Sequence, residues 1–222
     1  MKILALDAAA GACSAALWRD GRVAARRYEL RARGHAELLV PMAQAVMREA
    51  GLDYAALDAF AVTRGPGTFT GLRIGLAAAR GFALAAGLPL IGLTTLEVLA
   101  AGVPEALARG AILAVLEARR GEVYVQAFGA GLEPLCDPAA LAPDAALALV
   151  AERRPVLVGD AAPRLARLFG ARAVVAPGDG QPDAAVAARL AASRPPPPPG
   201  TAVAPLYLRA PDARMRAPAP GR

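Results

Sequence analysis

The chain has one histidine, His35, one lysine, Lys2, and two cysteines, Cys13 and Cys136. Two cysteines exclude a disulfide framework, and a lone histidine beside them cannot complete a Cys/His zinc site, so no metal centre is expected. Long hydrophobic runs are missing too. Hydrophobic residues make up 56% of the chain, yet outside alanine-rich stretches that carry charge none approaches the roughly 18 unbroken residues of a membrane span. The opening "MKILALDAAAG" has one lysine and a short apolar run that Asp7 interrupts too early for a signal peptide. A cytoplasmic protein is expected.

What is present is arginine. The formal net charge is +6 and the isoelectric point about 10.1, carried almost wholly by arginine. That balance permits contact with RNA or an acidic partner, although an Ala/Arg/Pro-rich composition also fits plain genomic bias. A length of 222 residues accommodates one large domain or two small ones with a real core.

Along the chain, "KILALDA" (2–8) reads as a strand. In 13–30, Asp20-Gly21 separates two strand-like runs, a hairpin signal because both turn positions need positive φ. A helix follows over 35–51, with Gly51 as its stop. Then come a buried strand (57–63), a helix closed by Gly87 (70–87) and a strand running into a short helix (89–102). The second half begins the pattern again: strand, Arg-Arg-Gly turn and strand over 111–128, a helix at about 144–153, a strand at 155–160, a helix at 163–169, a strand at 171–176 and a helix at about 182–193. The repeated element order predicts an α/β fold of two related lobes with mixed sheets. The first spans 1–103 and the second 104–194. Residues 195–222 form a polyproline spacer followed by a segment whose Leu206-Tyr207-Leu208 docks back on the body; the last few residues are expected to be disordered.

The stretch "TRGPGTFTGLRIG" (63–75) poses the functional question. A glycine turn before a helix can bind an anion through free N–H groups. A nucleotide-binding P-loop, however, needs Gly-Lys and then Ser or Thr, whereas Leu72 and Arg73 follow Gly71 here. Gly65, Gly67 and Gly71 also miss the dinucleotide spacing. Generic anion binding stays open. The structural reading accounts for more residues: Gly65-Pro66-Gly67 makes a tight turn, Thr68 or Thr70 caps the helix, and small residues let another element approach.

This block, "GPGTFTGLRIGLAAARGFALAAGLPLIGLTTLEVLA" (65–100), resembles the signature of the TsaB (YeaZ) family. "ILALDAAAGACSAAL" (3–17), "GHAELLVPM" (34–42), "LEARRGEVYVQAF" (116–128) and "PLYLRAPDA" (205–213) corroborate it. The resemblance marks Gly65, Pro66, Gly67, Thr68, Phe69, Thr70, Gly71 and Arg73 as the signature loop. It implies an actin-like (Hsp70-like, ribonuclease H-like) fold of two lobes. It also implies a non-catalytic role without cofactor, in the complex that makes N6-threonylcarbamoyladenosine beside the tRNA anticodon. The implied direct partner is TsaD, the catalytic subunit, with TsaE in a ternary complex and TsaC in the same pathway. Contact with tRNA would be indirect or weak, and a homodimer could form when TsaD is absent. Two departures stand out: Asp7 is followed by Ala8-Ala9-Ala10 where the family has Thr-Ser-Thr, and Glu117 stands where Asp is usual. Three alanines offer no hydroxyls to a phosphate.

Other candidates carry weaker signals. His35 reads as a helix-start residue and Asp7 as a local hydrogen-bond acceptor. Ser14 lacks a base placed by any nucleophile motif. Glu117, Arg119 and Arg120 form either a solvated turn or a contact for RNA or a partner. The helices at 36–50 and 70–86 are apolar over more than one face, wider than a sheet-covering stripe needs. They predict a partner surface drawn from Leu38, Leu39, Met42, Val46, Leu72, Gly75, Leu76, Ala79, Phe82 and Ala83.

Overall fold

The computed structural model describes residues 1–150 and 153–209. Three strands open the chain as an antiparallel meander: β1 (Lys2–Asp7), β2 (Ala12–Arg19) and β3 (Arg22–Leu30). Asp20 and Gly21 sit between β2 and β3 with φ of 49° and 89°, the mirror-image turn that suits strand twist. Helix α1 (His35–Glu49), strand β4 (Ala59–Thr63), helix α2 (Phe69–Ala86), strand β5 (Leu90–Leu93) and helix α3 (Thr95–Ala101) follow. Gly87 ends α2 at φ 65°.

The second half holds β6 (Ile112–Glu117), β7 (Val123–Phe128), β8 (Ala139–Leu141), α4 (Pro143–Ala148), β9 (Val156–Val158), α5 (Ala162–Phe169), β10 (Val174–Val175) and α6 (Ala184–Ala192). Its sheet runs β10-β9-β6-β7-β8, and the first runs β3-β2-β1-β4-β5. Read from opposite ends these are the same order. Each has an antiparallel three-strand meander flanked by two parallel strands. The fold is the two-lobed α/β arrangement with mixed sheets that the repeated pattern predicts, and it agrees with the actin-like fold that the family resemblance implies. Strand β8 escapes sequence reading, and α4 stops short of the predicted helix, whose residues 151–152 lie outside the described residues. So do residues 210–222, where disorder is expected.

Alternation along the strands separates two faces in each sheet. Leu4 and Leu6 of β1 join Leu39, Val46, Leu76 and Ala79 beneath α1 and α2. Ile3 and Ala5 face the other way, toward Ala184, Ala187, Ala188 and Ala191 of α6. In the second lobe Leu113 and Val115 pack under α4 and α5, while Ile112, Ala114 and Leu116 meet Leu96 and Leu99 of α3. Helices α3 and α6 therefore lie between the two sheets. Helix α6, within the 104–194 span expected for the second lobe, packs on the first sheet because its alanines allow close approach to the small Ala5, Ala16, Ala59 and Ala61.

After α6 the proline run has Pro195, Pro196, Pro198 and Pro199 exposed. It carries the chain past the first sheet, so that Val203 joins the cluster on the α1/α2 side. Among the described residues no helix is long and apolar enough to cross a membrane.

Candidate functional site

The glycine-rich loop between β4 and α2 meets the hairpin loop that follows β1. Thr68 N–H donates to the carbonyl of Ala9 at 2.8 Å. A Cβ on Gly67 would stand 2.2 Å from that oxygen, and one on Gly71 only 2.0 Å from the carbonyl of Ala8. Glycine is required at both because backbone touches backbone. Thr68, the cap of α2, accepts from Gly71 N–H at 3.1 Å through its hydroxyl. The loop places a helix, as the structural reading of the sequence has it. Two N–H groups that an anion would need, those of Thr68 and Gly71, are already bonded within the chain.

Asp7 ends β1 fully buried. Its Oδ1 accepts from the Thr63 hydroxyl and from Ala9 N–H, while Oδ2 has no partner. Burial pushes its carboxyl up to about 7, against the lowering effect of those two hydrogen bonds. Asp7 thus acts locally.

The loop after β1 is tied to the second lobe. Gly11 N–H donates to Oε1 of Gln181 at 2.6 Å. Gln181 also hydrogen-bonds Asp160, whose carboxyl is raised chiefly by burial. Asp160 Oδ1 accepts from Glu117 N–H at 2.8 Å, and the Glu117 carboxylate holds Arg164 through two bonds of 2.9 and 2.7 Å. One bond, from Gly11 to Gln181, thus crosses from the loop after β1, and the remaining bonds run within the second lobe. Among the described residues no three His, Cys, Asp or Glu side chains gather as a metal cluster. Gln181 and Asp160 were not singled out from the sequence; the turn residues of "VGD" (158–160) and "GDGQPD" (178–183) were the available signal.

Other candidates have structural posts. His35 is the first residue of α1, buried, and its imidazole is lowered mainly by desolvation. The Ser14 hydroxyl accepts from Ala184 N–H at 2.9 Å, docking the start of α6. Cys13 is buried, and its thiol is pushed up to about 12 by desolvation.

The ten residues named for a partner surface divide. Leu39, Val46, Leu72, Gly75, Leu76, Ala79 and Ala83 are buried within the chain itself. Leu38, Met42 and Phe82 are half-buried, and Phe82 stacks with Tyr54 and Phe60 at 5.3 and 5.9 Å. Those seven buried positions serve the core because α1 and α2 must cover the sheet. The exposed part of α2 lies on its other side: Ala77, Gly81, Leu84 and Ala85, bordered by half-buried Ile74 and Ala78. Leu84 is 86% exposed. Half-buried Leu38, Met42 and Ala45 with exposed Pro41 bring α1 up beside it. Both helices thus present apolar residues that the chain leaves exposed or half-buried.

Near the start of α2, Arg73 lies over the ring of Phe69 at 3.8 Å, and Tyr207 packs against the same ring at 5.6 Å. The segment carrying Tyr207 is held by Leu206 N–H on the carbonyl of Arg64 (2.7 Å) and by Arg80 on the carbonyl of Val203 (2.6 Å).

The family model described as "TsaD: tRNA N6-adenosine threonylcarbamoyltransferase" matches residues 29–173. Escherichia coli "tRNA threonylcarbamoyladenosine biosynthesis protein TsaB" is 46% identical over 124 residues, 56% of this chain and 53% of that protein. The match therefore spans about half the length of that curated relative. An uncharacterized Mycobacterium tuberculosis protein is 36% identical over 214 residues, covering 96% of this chain and 93% of its own. The solved structure of YeaZ from Pseudomonas aeruginosa superposes with a TM-score of 0.78 at 29% identity, covering 93% of this chain and 99% of that one. In sequence and in fold, the chain belongs to the TsaB (YeaZ) family.

Proposed function

We propose that this chain is a non-catalytic subunit in the formation of N6-threonylcarbamoyladenosine beside the tRNA anticodon, where it binds and stabilises TsaD. The observation that carries this reading is the small-residue stripe on α1 and α2. Its α2 part, Ala77, Gly81, Leu84 and Ala85, is exposed and apolar, a feature that marks an interaction surface. Bonding of Gln181 to Gly11, and of Asp160 and Arg164 to Glu117, is consistent with a scaffold. In this role TsaC supplies threonylcarbamoyl-adenylate, TsaD transfers the group to the adenosine, and the ATPase TsaE joins the pair. The complex works in the cytoplasm, and the same stripe serves a homodimer when TsaD is absent.

Co-expression with the cognate TsaD followed by size-exclusion chromatography tests the reading. Wild type co-elutes with TsaD. Ala77→Glu and Gly81→Glu put a charge on open surface, keep their fold by circular dichroism and elute alone. Co-elution of both variants at wild-type yield would place the interface elsewhere.

A further inference from the structure

The tier of Arg73, Phe69 and Tyr207 has no part in the core or in the apolar stripe. Both rings are open, Phe69 at 49% and Tyr207 at 43% exposure. An exposed ring pair, its planes inclined by 32°, with a guanidinium over one ring is an aromatic, cationic surface. More arginine lies beside it. Two residues beyond Tyr207, Arg209 donates to the carbonyl of Arg119 at 2.8 Å, which brings the Arg119-Arg120 turn of the second lobe alongside. The carboxylates at this edge are engaged: Glu122 pairs with Arg209 at 3.3 Å, and Glu97 pairs with Arg194 at 3.0 Å. Exposed Thr68 and Thr70 add hydroxyls next to Phe69.

We propose that the Arg73–Phe69–Tyr207 tier is a docking site for unpaired RNA nucleotides. Every base offers a planar π-face, so aromatic rings and guanidinium planes stack bases with little regard to sequence, while neighbouring cations follow the phosphates. A protein partner would also use aromatics and arginine, but it would need aliphatic surface around them to seal out water. That surface lies on the α1/α2 stripe; this edge instead carries arginines and hydroxyls. The net charge of +6 favours approach of a polyanion. Two segments far apart in sequence, 64–73 and 203–209, meet to build the tier. The choice of RNA as occupant rests on the proposed role in tRNA modification, but the site is independent of the TsaD surface.

Fluorescence anisotropy with a fluorescein-labelled oligouridine and the isolated full-length chain tests the site. Wild type binds and weakens as salt rises. Tyr207→Ala and Phe69→Ala each lose affinity on the order of tenfold, and Tyr207→Phe stays within about twofold because the π-face is kept. All three retain wild-type circular dichroism and co-elute with TsaD, which separates failure here from failure of the proposed function. Absence of binding by wild type, or equal binding by the alanine variants, overturns the site. So does a pattern in which those variants keep RNA affinity and lose TsaD, since the tier would then be a protein dock.

Discussion

The α-carbon of Gly71 rests against the carbonyl oxygen of Ala8, so closely that a Cβ would come within 2.0 Å of it. Glycine in a helix ordinarily costs about 0.5–1 kcal/mol relative to alanine. At Gly71 that cost is accepted so that the start of α2 can seat on the loop after β1. Gly81, on the same helix, has nothing within 4 Å of its Cβ position. Opposite signs follow. Gly81→Ala should stabilise by about 0.5–1 kcal/mol, and Gly71→Ala should destabilise by about 1–3 kcal/mol or more through overpacking. In a domain of this size each kcal/mol moves Tm by roughly 2–4 °C, so thermal melts distinguish them. A Gly71→Ala melt at or above wild type would show that the two loops separate freely.

The pattern of what could be read beforehand follows from range. Strand alternation, the Asp20-Gly21 hairpin and the Gly87 stop are local, and each is written in a few neighbouring residues. The glycine loop was legible as a helix-setting turn for the same reason. The contact of Gln181 with Gly11 spans 170 positions, and nothing near either residue announces it. The apolar run Leu206-Tyr207-Leu208 announces that its segment docks on the body, but not that Tyr207 meets Phe69. Seven of the ten residues expected on the partner surface pack in the core for a different reason. Alanine and glycine make α2 apolar almost all round, so periodicity cannot tell the covered face from the open one; the packing of α1 and the sheet decides it. Strand β8 was missed because its three residues are half-buried alanine and leucine, without the β-branched or aromatic signature of a strand.

Asp7 should make stability depend on pH. Its carboxyl lies near 7 in the folded chain against 3.8 for an ordinary aspartate, with burial as the main cause and the negative charge of Asp183 adding to it. The folded state therefore holds this proton more tightly than the unfolded state. The contribution is fully present below about pH 4 and is lost as pH rises through about 7. Asp7→Asn keeps an oxygen for the Thr63 hydroxyl and removes the ionisation. Its Tm relative to wild type should rise between pH 5 and pH 8. A Tm difference that stays flat across that range would mean the carboxyl is not strained by burial.

Ser14 is the hinge point between sheet and α6. Its buried hydroxyl accepts from Ala184 N–H at 2.9 Å, one of the helix-start donors that has no partner inside the helix. Asp183 caps the next, accepting from Ala185 N–H at 2.8 Å while pairing with Arg26 at 2.7 Å. Ser14→Ala leaves a buried donor unmet, at a cost of about 1–3 kcal/mol. Arg26→Ala removes a part-exposed ion pair and a contact over the Tyr28 ring, and should cost about 1 kcal/mol. Urea melts of the two variants should rank in that order; the reverse ranking would assign the docking of α6 to charge.

The segment after the proline run is held by shape as much as by hydrogen bonds. Val203 fills the notch left by Gly92, where an added Cβ would fall 2.4 Å from Val203 Cγ1. Arg80 then clamps the carbonyl of Val203. Gly92→Val should therefore drive Val203 from the notch, whereas β5 itself tolerates valine because a branched side chain suits a strand. The sheet stays formed and the segment from 200 to 209 loosens. Limited proteolysis with trypsin should cut Gly92→Val after Arg209 well before it cuts wild type there, with circular dichroism unchanged. Arg80→Ala should give a milder form of the same pattern, since the notch remains filled. If Gly92→Val resists protease as wild type does, Val203 is not the anchor and the segment is held at Leu206 and Tyr207 alone.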